Sequence, residues 1–371
     1  MANAVVRQNK LRRLVFAPED ALGTFQTLTP TSLVVPASDV SFTPSRGSRV
    51  ISREALVDGF HGEAPGAIGS WAWEVSFTSE IHHYASYTPE DYDVYWTQLL
   101  QGCGFKAEDN GSDTITLYPT MAPIGNWDPG AATDGFTNPA ALSFGLLNNN
   151  TDANDEPAGD SDSAHFTRGC VGNVSFQFTA GQIATMQFSF KGLVQNDTLI
   201  DTSVTNVMQT GSFTQIGGAP YVVRDAVLVF TDNSTTNAVT VTALNNVSID
   251  MGANVPDVES ANVAGNYGFD VSPVFWDSSP TVSFTIAETN ASDDVIFQRL
   301  FSGDTFDIQL TLANPDVPAA TIKIDINTLQ QSDVSVGNTN GYATYSINGK
   351  CVRAVGDGTD DALMQITYTY A

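Results

Sequence analysis

Histidine pairs, carboxylate runs and hydroxyl motifs are the places where this sequence could do chemistry. His82 and His83 follow Glu80 and Ile81 and form its one histidine cluster. Zinc binding or general-base catalysis needs ligands that converge on one face, whereas neighbouring residues of a strand point to opposite faces. The pair therefore reads as surface or partly buried histidines, and His61 and His165 have no spaced partners. The run Asp152 to Asp162 invites calcium, yet an EF-hand loop needs glycine at its sixth position and glutamate at its twelfth. Counted from Asp152, those positions hold Pro157 and Ser163. A solvated acidic loop is the expectation, with a nonstandard cation site as the alternative. No nucleophile elbow, phosphate loop or dinucleotide fingerprint occurs. Asn-x-Ser/Thr triplets such as those at Asn110 and Asn233 follow from the abundance of these residues, without glycosylation. Cys103, Cys170 and Cys351 have no CxxC spacing and an odd count, which reads as three buried thiols in a reducing compartment. The expectation is no catalytic residue, no metal and no cofactor.

Composition sets the next bound. The 371 residues carry 41 acids and 15 bases, a net charge of −26, while only 15% are charged and 42% are hydrophobic. An average soluble domain is about 25% charged, so the acidity reflects a shortage of bases. That balance argues against ordinary nucleic-acid binding, because too few cations exist to neutralise phosphates. Residues 1 to 53 nevertheless hold seven of the bases, Arg7, Lys10, Arg12, Arg13, Arg46, Arg49 and Arg53, against Glu19, Asp20 and Asp39. A basic front thus faces an acidic body. Arg12 and Arg13 interrupt any apolar leader, and no run of 18 apolar residues occurs, so neither a signal peptide nor a membrane span is expected.

The elements that must position these residues are mostly strands. Trp71, Trp73, Val75 and Phe77 alternate with polar residues. So do Val174, Phe176 and Phe178, Met186, Phe188 and Phe190, Phe306, Ile308, Leu310 and Leu312, Ile322, Ile324 and Ile326, and Met364, Ile366, Tyr368 and Tyr370. Two segments have a helical period. Thr88 caps the first, with Pro89 at its first position, and Tyr92, Tyr95, Trp96, Leu99, Leu100 and Cys103 form its apolar stripe before Gly104. Ser292 caps the second, with Ile296, Phe297, Leu300 and Phe301 as the stripe before Gly303. Both stripes read as core packing.

The two helices coincide at a shift of 201 positions, and the coincidence extends outward. Val40-Ser41-Phe42 falls on Val247-Ser248-Ile249, and Val75-Ser76-Phe77-Thr78 on Val282-Ser283-Phe284-Thr285, both at a shift of 207. Ala184 to Phe190 falls on Ala320 to Ile326 at a shift of 136. The reading is an internal duplication, with a first domain over 1–210, a second over 211–371, and an insert near 105–169 in the first. Chance recurrence of short Val-Ser-Phe-Thr strings is the alternative.

These residues resemble the tail tube proteins of long-tailed bacteriophages. The resemblance rests on Pro18-Glu19-Asp20-Ala21-Leu22-Gly23-Thr24 after a basic start, on the helix ending Leu99-Leu100-Gln101-Gly102-Cys103-Gly104-Phe105, on the hairpin from Gly169 to Gly192, and on Asn246-Val247-Ser248-Ile249-Asp250-Met251-Gly252. It implies a mostly β chain with one short helix per repeat, made of two tandem β-sandwich domains whose hairpins join between subunits around a lumen. Single-domain members of that family form hexamers and double-domain members form trimers with pseudo-sixfold symmetry, so a trimeric ring stacked head to tail is implied, with a hexamer as the alternative.

The same resemblance assigns roles. Hairpins 171–192 and about 304–327 would line the lumen with Ser175, Gln177, Thr179, Gln187 and Ser189, and with Asp307, Gln309, Lys323 and Asp325. A polar, weakly negative lumen would let DNA slide without sticking. The loop over 43–69, with Arg46, Arg49 and Arg53, would contact the next ring. The partners implied are the chain itself and other tail proteins such as a tape measure and a tail terminator, with DNA passing and no membrane involved. The protein would be a non-enzymatic component of the virion tail, made in the bacterial host cytoplasm. A tail-tip hub or distal tail protein is the nearest alternative, and a secreted β-rich adhesin or carbohydrate-binding module an alternative of another class.

Overall fold

The computed structural model describes residues 12–19, 25, 26, 28, 33–45, 50–54, 63–68, 72–83, 95–109, 114–120, 136, 137, 140–148, 163–194, 219–224, 226–232, 238–241, 244–254, 277–287, 302–339, 341–352 and 363–369. In chain order the first elements are β1 (Arg12–Pro18), β2 (Leu33–Val34), β3 (Ala37–Ser45), β4 (Val50–Glu54), β5 (Glu63–Ile68), β6 (Ala72–Glu80), α1 (Tyr95–Gln101), β7 (Phe105–Asp109), β8 (Thr114–Pro119), β9 (Phe136–Thr137), β10 (Leu142–Asn148), β11 (Ser163–Thr179) and β12 (Thr185–Val194). They are followed by β13 (Val227–Asp232), β14 (Ala238–Val241), β15 (Leu244–Asp250), β16 (Ala253–Asn254), β17 (Asp277–Ser278), β18 (Thr281–Ala287), β19 (Thr305–Ala313), β20 (Thr321–Thr339), β21 (Tyr342–Cys351) and β22 (Met364–Thr369). The fold is mostly β, and every ladder is antiparallel.

Alternation of apolar and polar residues places one face of each strand in a shared core. Along β19 the buried positions are Phe306, Ile308, Leu310 and Leu312, and along β20 they include Ile322, Ile324 and Ile326. The ring cluster of Phe77, Phe144, Phe188 and Phe190 fills the core beneath β6, β10 and β12. Every residue of α1 is buried, Tyr95, Trp96, Leu99 and Leu100 among them. The helix ends where Gly104, at φ 85°, turns the chain into β7. The capping residues Thr88 and Pro89 and the whole second stripe, Ile296, Phe297, Leu300 and Phe301, lie outside the described residues.

The strand neighbours fall into two series of the same order. In the first, β2, β1, β10, β11, β12, β6 and β3 lie side by side. In the second, β14, β13, β19, β20, β21, β18 and β15 do so. Each series also carries a separate two-stranded ladder between its third and fourth strands in sequence, β4 with β5 and β16 with β17. The match reaches single residues: Ser41 pairs with Ser76 and Phe42 with Val75, while Ser248 pairs with Ser283 and Ile249 with Val282, all 207 positions apart.

Two sequence alignments need correction on this topology. The counterpart of the β11–β12 hairpin is β20–β21, because β21 stands beside β18 as β12 stands beside β6. The segment 304–327, matched to it at a shift of 136, instead takes the place of β10 and the start of β11. The insert also narrows. β10 and the first part of β11 correspond to β19 and the first part of β20, so among the described residues of this stretch it is β7, β8 and β9 that have no counterpart strand in the second series. The proposed division between residues 210 and 211 falls outside the described residues.

The two series are joined twice. The outer edge of β11 pairs with β15, and the C-terminal β22 pairs with both β20 and β8. Among the described residues one sheet of 18 strands therefore runs through both halves.

Candidate functional site

The residues to which the sequence assigns a lumen role lie on the sheet face turned away from the core. On β11 and β12, Ser175, Gln177 and Thr179 are half-buried, and Gln187 and Ser189 are exposed. Across the junction of the two series, the Gln177 Nε2 donates to Ser248 Oγ at 2.8 Å and the Asn173 Nδ2 to Asp250 Oδ1 at 2.9 Å. The same Asp250 oxygen accepts the Gly252 N–H at 3.0 Å, which ties the end of β15 to the sheet. On β19 and β20, the Gln309 Nε2 donates to Asp325 Oδ1 at 2.8 Å, and Lys323 Nζ lies 2.9 Å from Asp325 Oδ2. Asp307 Oδ1 accepts the Thr328 N–H at 2.9 Å. Thr328 has φ 57°, so the carboxylate holds a β-bulge in place.

These side chains cross-link neighbouring strands, and the face they make is polar and short of bases. A shallow groove of about 470 Å³ runs over it, with Asp39 and Asp250 among its lining residues together with Ser76, Thr78, Asn173 and Ser189. The arrangement suits a polar surface that does not grip an anion.

The histidines separate. His82 Nε2 lies 3.1 Å from Glu80 Oε2, whereas His83 is buried with its Nδ1 3.2 Å from the Tyr368 hydroxyl. Full burial of His83 departs from the partly exposed pair expected, because β22, distant in sequence, closes over it. Burial pushes its pKa below the usual value. His165 packs against the touching rings of Phe42 and Trp73. Among the described residues no group of three His, Cys, Asp or Glu side chains could hold a metal ion. Cys103 and Cys170 are buried free thiols, and Cys351, half-buried, has its pKa pushed up to about 12 by burial. The acidic run 152–162 lies outside the described residues, as do Arg46 and Arg49. Arg53 lies on β4, and no helix of the described residues is long and apolar enough to cross a membrane.

Among the described residues the short strands β2, β9 and β14 pair on one side only, and two longer edges are open as well. Among the described residues β3 pairs only with β6, and β20 beyond Gln330 pairs only with β21. Composition gives no sign of which strands lie at an edge, and sequence reasoning missed the β20 edge. The Asn340-Gly341 dipeptide between β20 and β21, a strong two-residue hairpin signal, is the clue that could have found it.

No family model matches the chain, and no curated protein matches it. Among solved structures it is similar to a chain in the tail of an empty gene transfer agent particle, determined by helical refinement with C6 symmetry. The identity is 19%, over 34% of this chain and 92% of that chain, with a TM-score of 0.28. A chain from the virion of a native gene transfer agent particle is similar at 19% identity over the same shares, with a TM-score of 0.27.

Proposed function

We propose that this protein is a non-enzymatic structural subunit of a phage-type virion tail, and that it assembles into stacked rings that form the tail tube. The observation that carries the reading is the repeated seven-strand order, joined edge to edge inside the chain at β11 and β15, with the equivalent edges of β20 and β3 open among the described residues. A repeat whose ends are left unpaired must continue into another chain or be blunted, and closure into a ring removes both edges. The sequence resemblance to tail tube proteins supplies the class of assembly.

In this reading the two series are the tandem units 1–210 and 211–371, three chains give a pseudo-sixfold ring, and rings stack head to tail through a contact that does not close on itself. The non-core face lines the lumen, with Ser175, Gln177, Thr179, Gln187, Ser189, Asp307, Gln309, Lys323 and Asp325 on it. A net charge of −26 then keeps passing DNA from adhering. Arg46, Arg49 and Arg53 reach the acidic body of the next ring, and tape measure and terminator proteins are the further partners.

Electron microscopy of the purified protein tests this. Tubes of stacked rings with three chains per ring are the expected result. Single rings that never stack would favour the tail-tip hub, and a monomer at every concentration would overturn the assembly.

A further inference from the structure

The junction between β11 and β15 joins the first series to the second inside one chain. We propose that the same junction recurs between chains, with the open edge of β20 taking the place of β11 and the open edge of β3 on a second copy taking the place of β15. The proposal deepens the tube reading and rests on it only for the closure of the ring.

The register follows from the ladders. Phe77 on β6 and Phe284 on β18 are equivalent at 207 positions apart; their neighbours are Phe188 and Ile347, and the next strands bring Val174 and Val334. Within the chain Phe176 pairs with Ile249, Gln177 with Ser248 and Phe178 with Val247. Transferred to the open edges, Val336 pairs with Phe42 of the second copy, Gly337 with Ser41 and Asn338 with Val40.

Backbone direction agrees. Met251 N–H donates to the Val174 carbonyl and Ala180 N–H to that of Asn245, so even-numbered residues of β11 bond across the junction. Cys351 N–H donates to the Pro280 carbonyl, which turns the odd-numbered residues of β21 toward β18 and its even-numbered ones toward β20. Their partners on β20 are Asp333, Ser335 and Gly337, so Val334, Val336 and Asn338 aim their amides outward. On β3 the pairing of Ser41 with Ser76 leaves Val40 and Phe42 aimed outward likewise.

Burial points the same way. Inside the chain Phe176, Ile249 and Val247 are buried. At the equivalent open positions Val336 is 65% exposed, and Phe42 and Val40 are half-buried. An exposed apolar residue on an unpaired edge is what negative selection against edge pairing removes, and its presence here marks an edge meant to be covered.

Cysteine pairing tests the register in the full-length chain. Ser335 and Thr43 occupy the place of Ser175 and Asp250, a non-hydrogen-bonded pair whose close Cα atoms suit a disulfide. S335C combined with T43C should give interchain disulfide-linked oligomers on oxidation, at least tenfold more than either single variant or than S335C with S41C. S175C with D250C should link within the monomer and serves as the folding control. Linkage that ignores register, or none while the control forms, overturns the seam. A second variant, Val336→Asp, should leave the thermal melt of the monomer unchanged and abolish assembly; normal assembly overturns the seam as well. Covalent closed trimers that do not stack would uphold the seam and refute the tube, whereas tubes without the disulfide would do the reverse.

Discussion

The phenol of Tyr368 stands edge-on to the indole of Trp96, ring centroids 5.2 Å apart at 81°, and so the last strand of the chain closes over the helix of the first half. The same hydroxyl reaches His83 at 3.2 Å. The end of the chain thereby meets two neighbouring segments of the first half at one buried residue. Tyr368→Phe keeps the ring contact and removes the hydroxyl, and the loss should be about 1 kcal/mol. Tyr368→Ala removes both and should cost about 3–5 kcal/mol. Urea unfolding of the two variants separates the contributions.

His83 makes stability depend on pH. Its folded pKa lies below the ordinary value of 6.5, so the unfolded chain binds the proton more readily. Stability is therefore full above pH 6.5 and falls as the pH drops from there toward the folded pKa. Urea midpoints at pH 7.5 and 5.5 should differ for the native chain, and the difference should shrink in His83→Asn.

Glu19 is a buried carboxylate with a structural task. Its Oε1 accepts the Ser143 hydroxyl at 2.8 Å and the Gly169 N–H at 2.6 Å, at the point where β11 bulges against β12. Glu19→Ala leaves both donors unpaired, a loss of about 1–3 kcal/mol. Glu19→Gln keeps an acceptor oxygen and should lose less, read from the same unfolding curves.

Gly172 brings two backbones together. A Cβ at this position would meet the Ser189 carbonyl oxygen at 2.2 Å and the Phe190 Cα at 2.9 Å, and neither can yield as a flexible side chain would. Its N–H also donates to the Gly102 carbonyl, linking β11 to the end of α1. Gly172→Ala should destabilise by about 1–3 kcal/mol through overpacking, visible as a lower thermal midpoint.

Strand identity was legible because a strand with one buried face must alternate, and β6, β11, β12, β19, β20 and β22 all do. The equivalence of Ser41 with Ser248 and of Ser76 with Ser283 was also legible, since their flanking residues match at one shift, whereas their pairing across strands was not. The place of the second hairpin was not. Met186, Phe188 and Phe190 resemble Ile322, Ile324 and Ile326 only in being alternately apolar, a pattern any half-buried strand satisfies. Which strand lies next to β18 is decided by hydrogen bonds between segments some 60 residues apart, with Phe284 facing Ile347. The polar face was readable as a pattern, whereas its cross-strand bonds, such as Gln177 to Ser248, need the register of distant strands.

The β11–β15 junction has a kinetic consequence for the proposed ring. Because both strands belong to one polypeptide, that half of the joints forms at a fixed effective concentration, whatever the number of molecules in solution. A six-part circle is then completed by three interchain joints instead of six, and the population of rings rises with the third power of the subunit concentration rather than the sixth. Fusion also lets the halves diverge: among the described residues strands β7, β8 and β9 have no second copy, so the ring would display them at alternate positions.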